Sequence, residues 1–127
     1  MLNLDTFQQY CRQLPGSEET YPFGDHAVWY KVAGKVYAWT FVKPFNFEGK
    51  TGHPFMFINV KGNPEKREAL REAHMAIQPG WHQNKMHWHS VFMDGSLPDR
   101  LVLDLIDESY RLVVSGLPAK LRSAIKG

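Results

Sequence analysis

One cysteine, Cys11, is all the thiol chemistry this 127-residue chain offers, so no internal disulfide can staple it. No apolar run reaches the ~18 residues that a membrane-spanning helix requires. Behind Met1-Leu2-Asn3-Leu4-Asp5 there is no basic stretch followed by a long apolar one, so no signal peptide is visible. A reduced, cytoplasmic location with no membrane partner is the expectation. Large charge imbalance is missing too: a net charge of +2 is too small to attract nucleic acid by itself. Repeats and low-complexity tracts are absent, and the length fits a single domain over residues 1–127 that buries its own core.

Catalytic signatures are equally scarce. Gly49-Lys50-Thr51 resembles the end of a phosphate-binding loop, but Pro44 stands where its first glycine belongs, and Gly52-His53-Pro54 replaces the helix that must follow. No Gly-x-Ser-x-Gly elbow occurs. Glu18-Glu19 and Asp107-Glu108 are adjacent acids, which do not face each other as acid and base across a cleft. Cys11 falls on an apolar helical spacing and reads as a buried structural thiol. The chain is therefore expected to be non-enzymatic and without cofactors.

What is present is an ordered series of amphipathic segments. Leu4, Phe7, Cys11 and Leu14 mark one helical face, capped by Asp5 or Thr6 and stopped by Pro15-Gly16. Residues 15–25 read as a loop. His26–Val32 and Lys35–Val42 are strands joined by a tight Ala33-Gly34 turn. Alternation puts Val28, Tyr30 and Val32 on one face of the first, and Tyr37, Trp39 and Phe41 on one face of the second. Neither strand has a wholly polar side, so both faces of the hairpin are covered or used. Pro54–Val60 is a third strand. Asn63-Pro64-Glu65 opens a helix to about His74, with Leu70, Ala73 and Ile77 as its stripe. Met86–Met93 is a strand paired with a short one near Ile77–Pro79 or Trp81–Gln83. Pro98–Ser115 is the clearest helix, with Val102, Leu105, Ile106, Ser109 and Val113 inward in a stripe widened by Leu101 and Leu112, and Pro118 opens a short basic one. The order α-β-β-β-α-β-β-α-α implies an α+β domain, its helices packed on one face of an antiparallel sheet.

The densest chemistry lies in Gln78–Ser90, which holds three of the six histidines and two of the four tryptophans. On a strand, His87 and His89 leave one face ~6.5 Å apart, and His82 could join them around a metal or small molecule. A structural metal needs three or four ligands with oriented partners, and Asp94 is the only nearby carboxylate. The simpler expectation is no metal, with His87 and His89 facing solvent and Trp88 and Phe92 buried behind them.

Lysines interleaved with aromatics are the stronger hint. Between His26 and Pro64, Lys31, Lys35, Lys43, Lys50 and Lys61 face a single acid, Glu48, beside Trp29, Tyr37 and Trp39. Residues 109–127 hold Arg111, Lys120, Arg122 and Lys126 and no acid, which leaves the rest of the chain slightly acidic. Lysines that meet phosphates, with bases stacked on aromatic faces, suit nucleic acid. The candidate contacts are Lys31, Lys35, Trp81, Lys85, His87, Lys120 and Arg122, with Trp29 or Trp81 as the stacking residue. The alternative is a protein-interaction module, a weak homodimer or a peptide clamp on the open sheet face, in which the aromatics pack against a partner. Otherwise the chain is a monomer.

Several blocks resemble the MmcQ/YjbR-like family. They are Leu14-Pro15-Gly16-Ser17-Glu18-Glu19, Tyr21-Pro22-Phe23-Gly24, Gln78-Pro79-Gly80-Trp81-His82, Asn84-Lys85, His87-Trp88, Ser109-Tyr110 and the closing Leu117-Pro118-Ala119-Lys120-Leu121-Arg122. They come in family order over residues 14–122. The resemblance implies a two-layer α+β fold of the secretion-chaperone-like and frataxin-like kind. It also implies DNA binding, by a double-wing analogy that rests on fold alone, and it supplies no catalytic residues. Two departures stand out: a longer aromatic loop at Pro44–His53, and Ala119 where a second basic residue often sits.

Overall fold

The computed structural model describes residues 2–22, 24, 26–42, 57–80 and 83–125. Helix α1, Leu4–Gln13, starts where the Asn3 side chain accepts the Thr6 N–H at 2.8 Å. Asn3, rather than Asp5 or Thr6, is thus the cap, because its short amide reaches the third helical nitrogen. Phe7 and Cys11 are buried on the expected face.

Strands β1 (Ser17–Thr20), β2 (Ala27–Val32), β3 (Lys35–Phe41), β4 (Phe57–Lys61), β5 (Ile77–Pro79) and β6 (Trp88–Phe92) make one sheet in the order β1-β2-β3-β4-β6-β5. Every pairing is antiparallel. A short 3-10 turn at Pro64–Lys66 leads into α2, Arg67–Ala73, and α3 (Asp99–Ser115) and α4 (Ala119–Ala124) close the chain. The α+β class and the order of elements are those expected, with one short strand added at the front. That strand, β1, lies in the segment read as a loop. Its Ser-Glu-Glu-Thr sequence carries no apolar alternation because it is an edge, held by side chains instead. Glu19 accepts from Arg12 Nε at 2.7 Å and from the Tyr30 hydroxyl at 2.7 Å.

Ala33 and Gly34 both have positive φ, +50° and +79°, which is the two-residue turn whose twist matches a hairpin. Pairing then slips by one residue between Tyr30 and Lys31. This bulge corrects the expected alternation: Trp39 and Phe41 share one face, but Tyr37 turns to the other. There its hydroxyl donates to the Cys11 carbonyl at 3.1 Å and its ring meets Tyr110 edge-on at 5.3 Å.

Helix α3 covers that inner face with Val102, Leu105, Ile106, Ser109 and Val113, all buried, against Val28, Tyr30, Ile58, Val60, Ile77 and Val91. Each large apolar side chain so buried contributes about 1.5–3 kcal/mol. Ser109 spends its hydroxyl on the sheet and not on its own helix. Its hydroxyl donates to the Tyr37 carbonyl and accepts the Lys61 N–H at 2.8 Å, tying α3 across the ends of β3 and β4. The predicted stripe of α2 is only partly right: Leu70 packs on the core, Ala73 is exposed, and Ile77 already belongs to β5.

Candidate nucleic-acid interface

The register gathers several distant lysines at one end of the sheet. β2 ends at Val32 and β3 begins at Lys35, joined by the hairpin turn. Ala38 of β3 lies opposite Val60, so β4 ends on the same side with Lys61. Lys61 is paired with Trp88, so β6 begins there, just after Lys85 and His87. Helix α3 runs toward this end, because Ser109 touches Tyr37 and Lys61. α4 follows it: the Ile125 and Val32 side chains each lie 3.6 Å from the place a Cβ on Gly16 would take.

Lys35, Lys85, Lys120 and Arg122 are exposed, while Lys31 and His87 are half-buried. Among the described residues the ion pairs are Arg12–Glu19, Lys66–Glu108, Arg67–Glu68 and Arg100 with Asp104 and Asp107. Lys35, Lys61, Lys85, Lys120 and Arg122 therefore have no carboxylate partner among the described residues. Lys31 lies opposite Glu18 in the β1–β2 register, which tempers its charge. The other end of the sheet, beyond Phe92, carries Asp94 and the start of α3 with Asp99.

Lys85 and His87 sit on a single turn built by Asn84. The Asn84 carbonyl accepts the His87 and Trp88 N–H groups at 3.2 and 2.9 Å, and its side chain accepts the Met86 N–H at 2.9 Å. The His87 carbonyl takes the Gly62 N–H at 2.7 Å, and Lys85 Nζ donates to the Gly80 carbonyl at 3.0 Å. From α2, Arg71 Nη2 donates to the carbonyls of Lys85 at 2.6 Å and Trp88 at 3.0 Å. Arg71, unremarkable in sequence as one charge on a polar helix, is thus the residue that fastens this turn.

The expected histidine pair does not form. His89 is 1% exposed, on the inner face opposite Val60, while Trp88 is half-buried on the outer one. His87 precedes β6, in the turn, so strand alternation does not relate the two rings. Phe92 is buried as predicted. His89 Nδ1 accepts from Arg71 Nε at 3.2 Å, and Gly62 leaves the room its ring needs: a Cβ there would lie 2.6 Å from Nε2. Burial, then the Arg71 charge, pushes the imidazole down to about 4. Among the described residues no three His, Cys, Asp or Glu side chains converge as metal ligands.

Several aromatic rings on the outer face of the sheet are largely covered. Trp39, Phe57 and Phe92 are 6%, 4% and 8% exposed. Trp29 is half-buried and stacks at a tilt on Trp39, 5.5 Å between centroids. A buried polar chain runs through these rings. Trp39 Nε1 donates to Gln83 at 3.0 Å, Gln83 to Asn59 Oδ1 at 3.1 Å, and the Ser90 hydroxyl to the same oxygen at 2.6 Å. No expectation singled out Asn59, although it is the one polar residue within Phe57-Ile58-Asn59-Val60. Trp81, His82, Lys43, Lys50 and the Gly49-Lys50-Thr51 segment lie outside the described residues.

A six-stranded antiparallel sheet with helices packed on it, finished by a polar turn and a basic strand end, defines a small α+β protein of the kind the sequence blocks imply. The YjbR sequence family matches residues 12–112, and the chain belongs to that family. It is 32% identical to the YjbR protein of Escherichia coli K12 over 124 residues, covering 98% of both chains. It is 31% identical to the YbdF protein of Escherichia coli O157:H7, over 96% of this chain and 93% of that one. Among solved structures, the Deinococcus radiodurans protein DR2400 superposes with a TM-score of 0.82 at 34% identity, over 98% of this chain and 88% of its own. A Pseudomonas syringae protein shares the fold at a TM-score of 0.74 and 24% identity, over 87% of this chain and 98% of that one.

Proposed function

We propose that this YjbR-family chain is a small non-enzymatic binding protein that contacts nucleic-acid phosphates through the basic end of its sheet. The observation that carries this reading is that the strand register brings Lys35, Lys61 and Lys85 to one end of the sheet, the end where α4 with Lys120 and Arg122 also finishes, with no described carboxylate partner for any of the five, while Asp94 and Asp99 lie at the other. Cations so placed neutralise backbone phosphates and release counterions. The described tryptophans give limited surface for base stacking, since Trp39 is 6% exposed and Trp29 and Trp88 are half-buried. A duplex, met through its backbone and with low sequence preference, fits better than a splayed single strand.

A cytoplasmic location accords with this role, and no helix among the described residues is long and apolar enough to cross a membrane. The competing protein clamp on the outer sheet face finds little support, because its aromatic residues are already covered. The test is a duplex titration with two charge variants. Lys35→Ala with Lys85→Ala should weaken binding, and Arg100→Ala, on the far half of α3, should leave it unchanged. Equal loss in both would refute an interface at the basic end.

A further inference from the structure

Helix α2 carries two arginines one helical turn apart, Arg67 and Arg71, of which Arg71 reaches the 84–88 turn. Like charges at this spacing repel, and burial followed by the Arg67 charge pushes the Arg71 guanidinium below its ordinary value. Among the described residues no acid pairs with Arg71. Glu68 lies 3.8 Å from Arg67 and its side chain is 85% exposed. Glu108, the acid that acts on His89, is engaged by the Asn63 N–H at 3.3 Å and by Lys66 at 3.9 Å.

Arg71 is also held in one pose. Its Nε donates to His89 Nδ1, and its Nη2 to the Lys85 and Trp88 carbonyls. Three of five N–H groups are committed, and among the described residues Nη1 has no hydrogen-bond partner. Arg67 is anchored in its turn by Nη1, which donates to the Pro64 carbonyl at 2.6 Å. Two guanidiniums held by hydrogen bonds, Arg67 facing only the exposed Glu68 among the described acids and Arg71 with one unused nitrogen, lose little freedom when an oxyanion arrives.

We propose that Arg67 and Arg71 form a site for a single phosphate-class oxyanion, with the Nη1 group of Arg71 as its principal donor and Arg67 supplying the second charge. The anion would remove the repulsion between the two guanidiniums and supply the acceptor Nη1 lacks. The source is either a phosphate of a bound nucleic acid, in which case the site rests on the reading above, or a free phosphate. Arg71→Lys keeps the charge but loses the planar fork that fixes the pose, so it separates a built site from mere positive potential.

The experiment is a solution NMR titration of the full chain, following the Arg71 Nε–H and His89 imidazole resonances. One arm adds inorganic phosphate against chloride at equal ionic strength, and the other adds a short DNA duplex. The expected result is saturable movement of both resonances with phosphate and none with chloride. Affinity should fall by about tenfold or more in Arg67→Gln and in Arg71→Lys, the scale of one charge-assisted bond. Movement in the phosphate arm alone keeps the site and refutes its nucleic-acid occupant. Shifts that match chloride, shifts that survive Arg67→Gln in a folded variant, or no saturable movement in either arm would each overturn the proposal.

Discussion

Arg71 Nε donates to Nδ1 of His89 across 3.2 Å, so the buried imidazole is neutral and carries its proton on Nε2. A proton on Nδ1 would turn the acceptor into a donor aimed at a guanidinium. The unfolded imidazole takes up its proton near 6.5 and the folded one near 4, so between those values the unfolded state holds the extra proton. Stability therefore falls as pH drops from about 6.5 toward 4 and levels off below, a loss of about 3 kcal/mol at most. His89→Gln should flatten this part of the stability–pH curve, measured by urea unfolding from pH 7 to pH 4.5. Parallel curves for the two proteins would contradict the assignment.

Gly62 and His89 should behave as a coupled pair. A methyl at residue 62 would sit 2.6 Å from His89 Nε2, and the ring is too buried to swing aside. Gly62→Ala is expected to destabilise by about 1–3 kcal/mol through overpacking. In the His89→Ala background the same change should cost much less, a coupling readable in a double-mutant cycle of denaturation midpoints.

Ser109→Ala should cost about 2–3 kcal/mol in chemical denaturation, because it strands both the Tyr37 carbonyl and the Lys61 N–H in the interior. Since the two strand ends it ties belong to the basic end, amide exchange at Lys61 should accelerate. A neutral substitution would mean that these groups find other partners.

Asn59→Ala should release the turn before β6. It removes the oxygen that receives both Ser90 and Gln83, and Gln83 in turn holds the Trp39 indole. A stability loss of about 2–4 kcal/mol is expected. The Trp39 Nε1–H resonance should also move in proton–nitrogen NMR, which a simple cavity elsewhere on the sheet would not produce.

How far the sequence was legible depended on whether a signal was local. Helix α3 was read correctly down to its five buried residues, because its periodicity runs over 17 residues. The family blocks were legible for the same reason, as contiguous strings. What could not be read came from pairing. The slip beside Tyr30 turned Tyr37 inward. His89 was placed in solvent because the larger Trp88 and Phe92 were given the buried side, whereas the helix-covered face is the one that carries His89 and Val91. Nothing local marks Arg71 as that turn's anchor, since its partners lie 14 to 18 positions away. The lysines, by contrast, were named individually, and their common end appears only once the strand register is known.

The central claim is that the basic strand end contacts phosphates, and the salt dependence of duplex binding tests it most directly. With about 3–5 phosphate contacts, a plot of log affinity against log salt should be linear with a slope of about −3 to −4.5. Replacing Lys120 and Arg122 together by Ala should flatten the slope by about 2 with little change in melting temperature, because both side chains are exposed. No binding at about 50 mM salt and micromolar protein, in the range where phosphate-mediated binding is tightest, would contradict the account, as would a slope that the double substitution leaves unchanged.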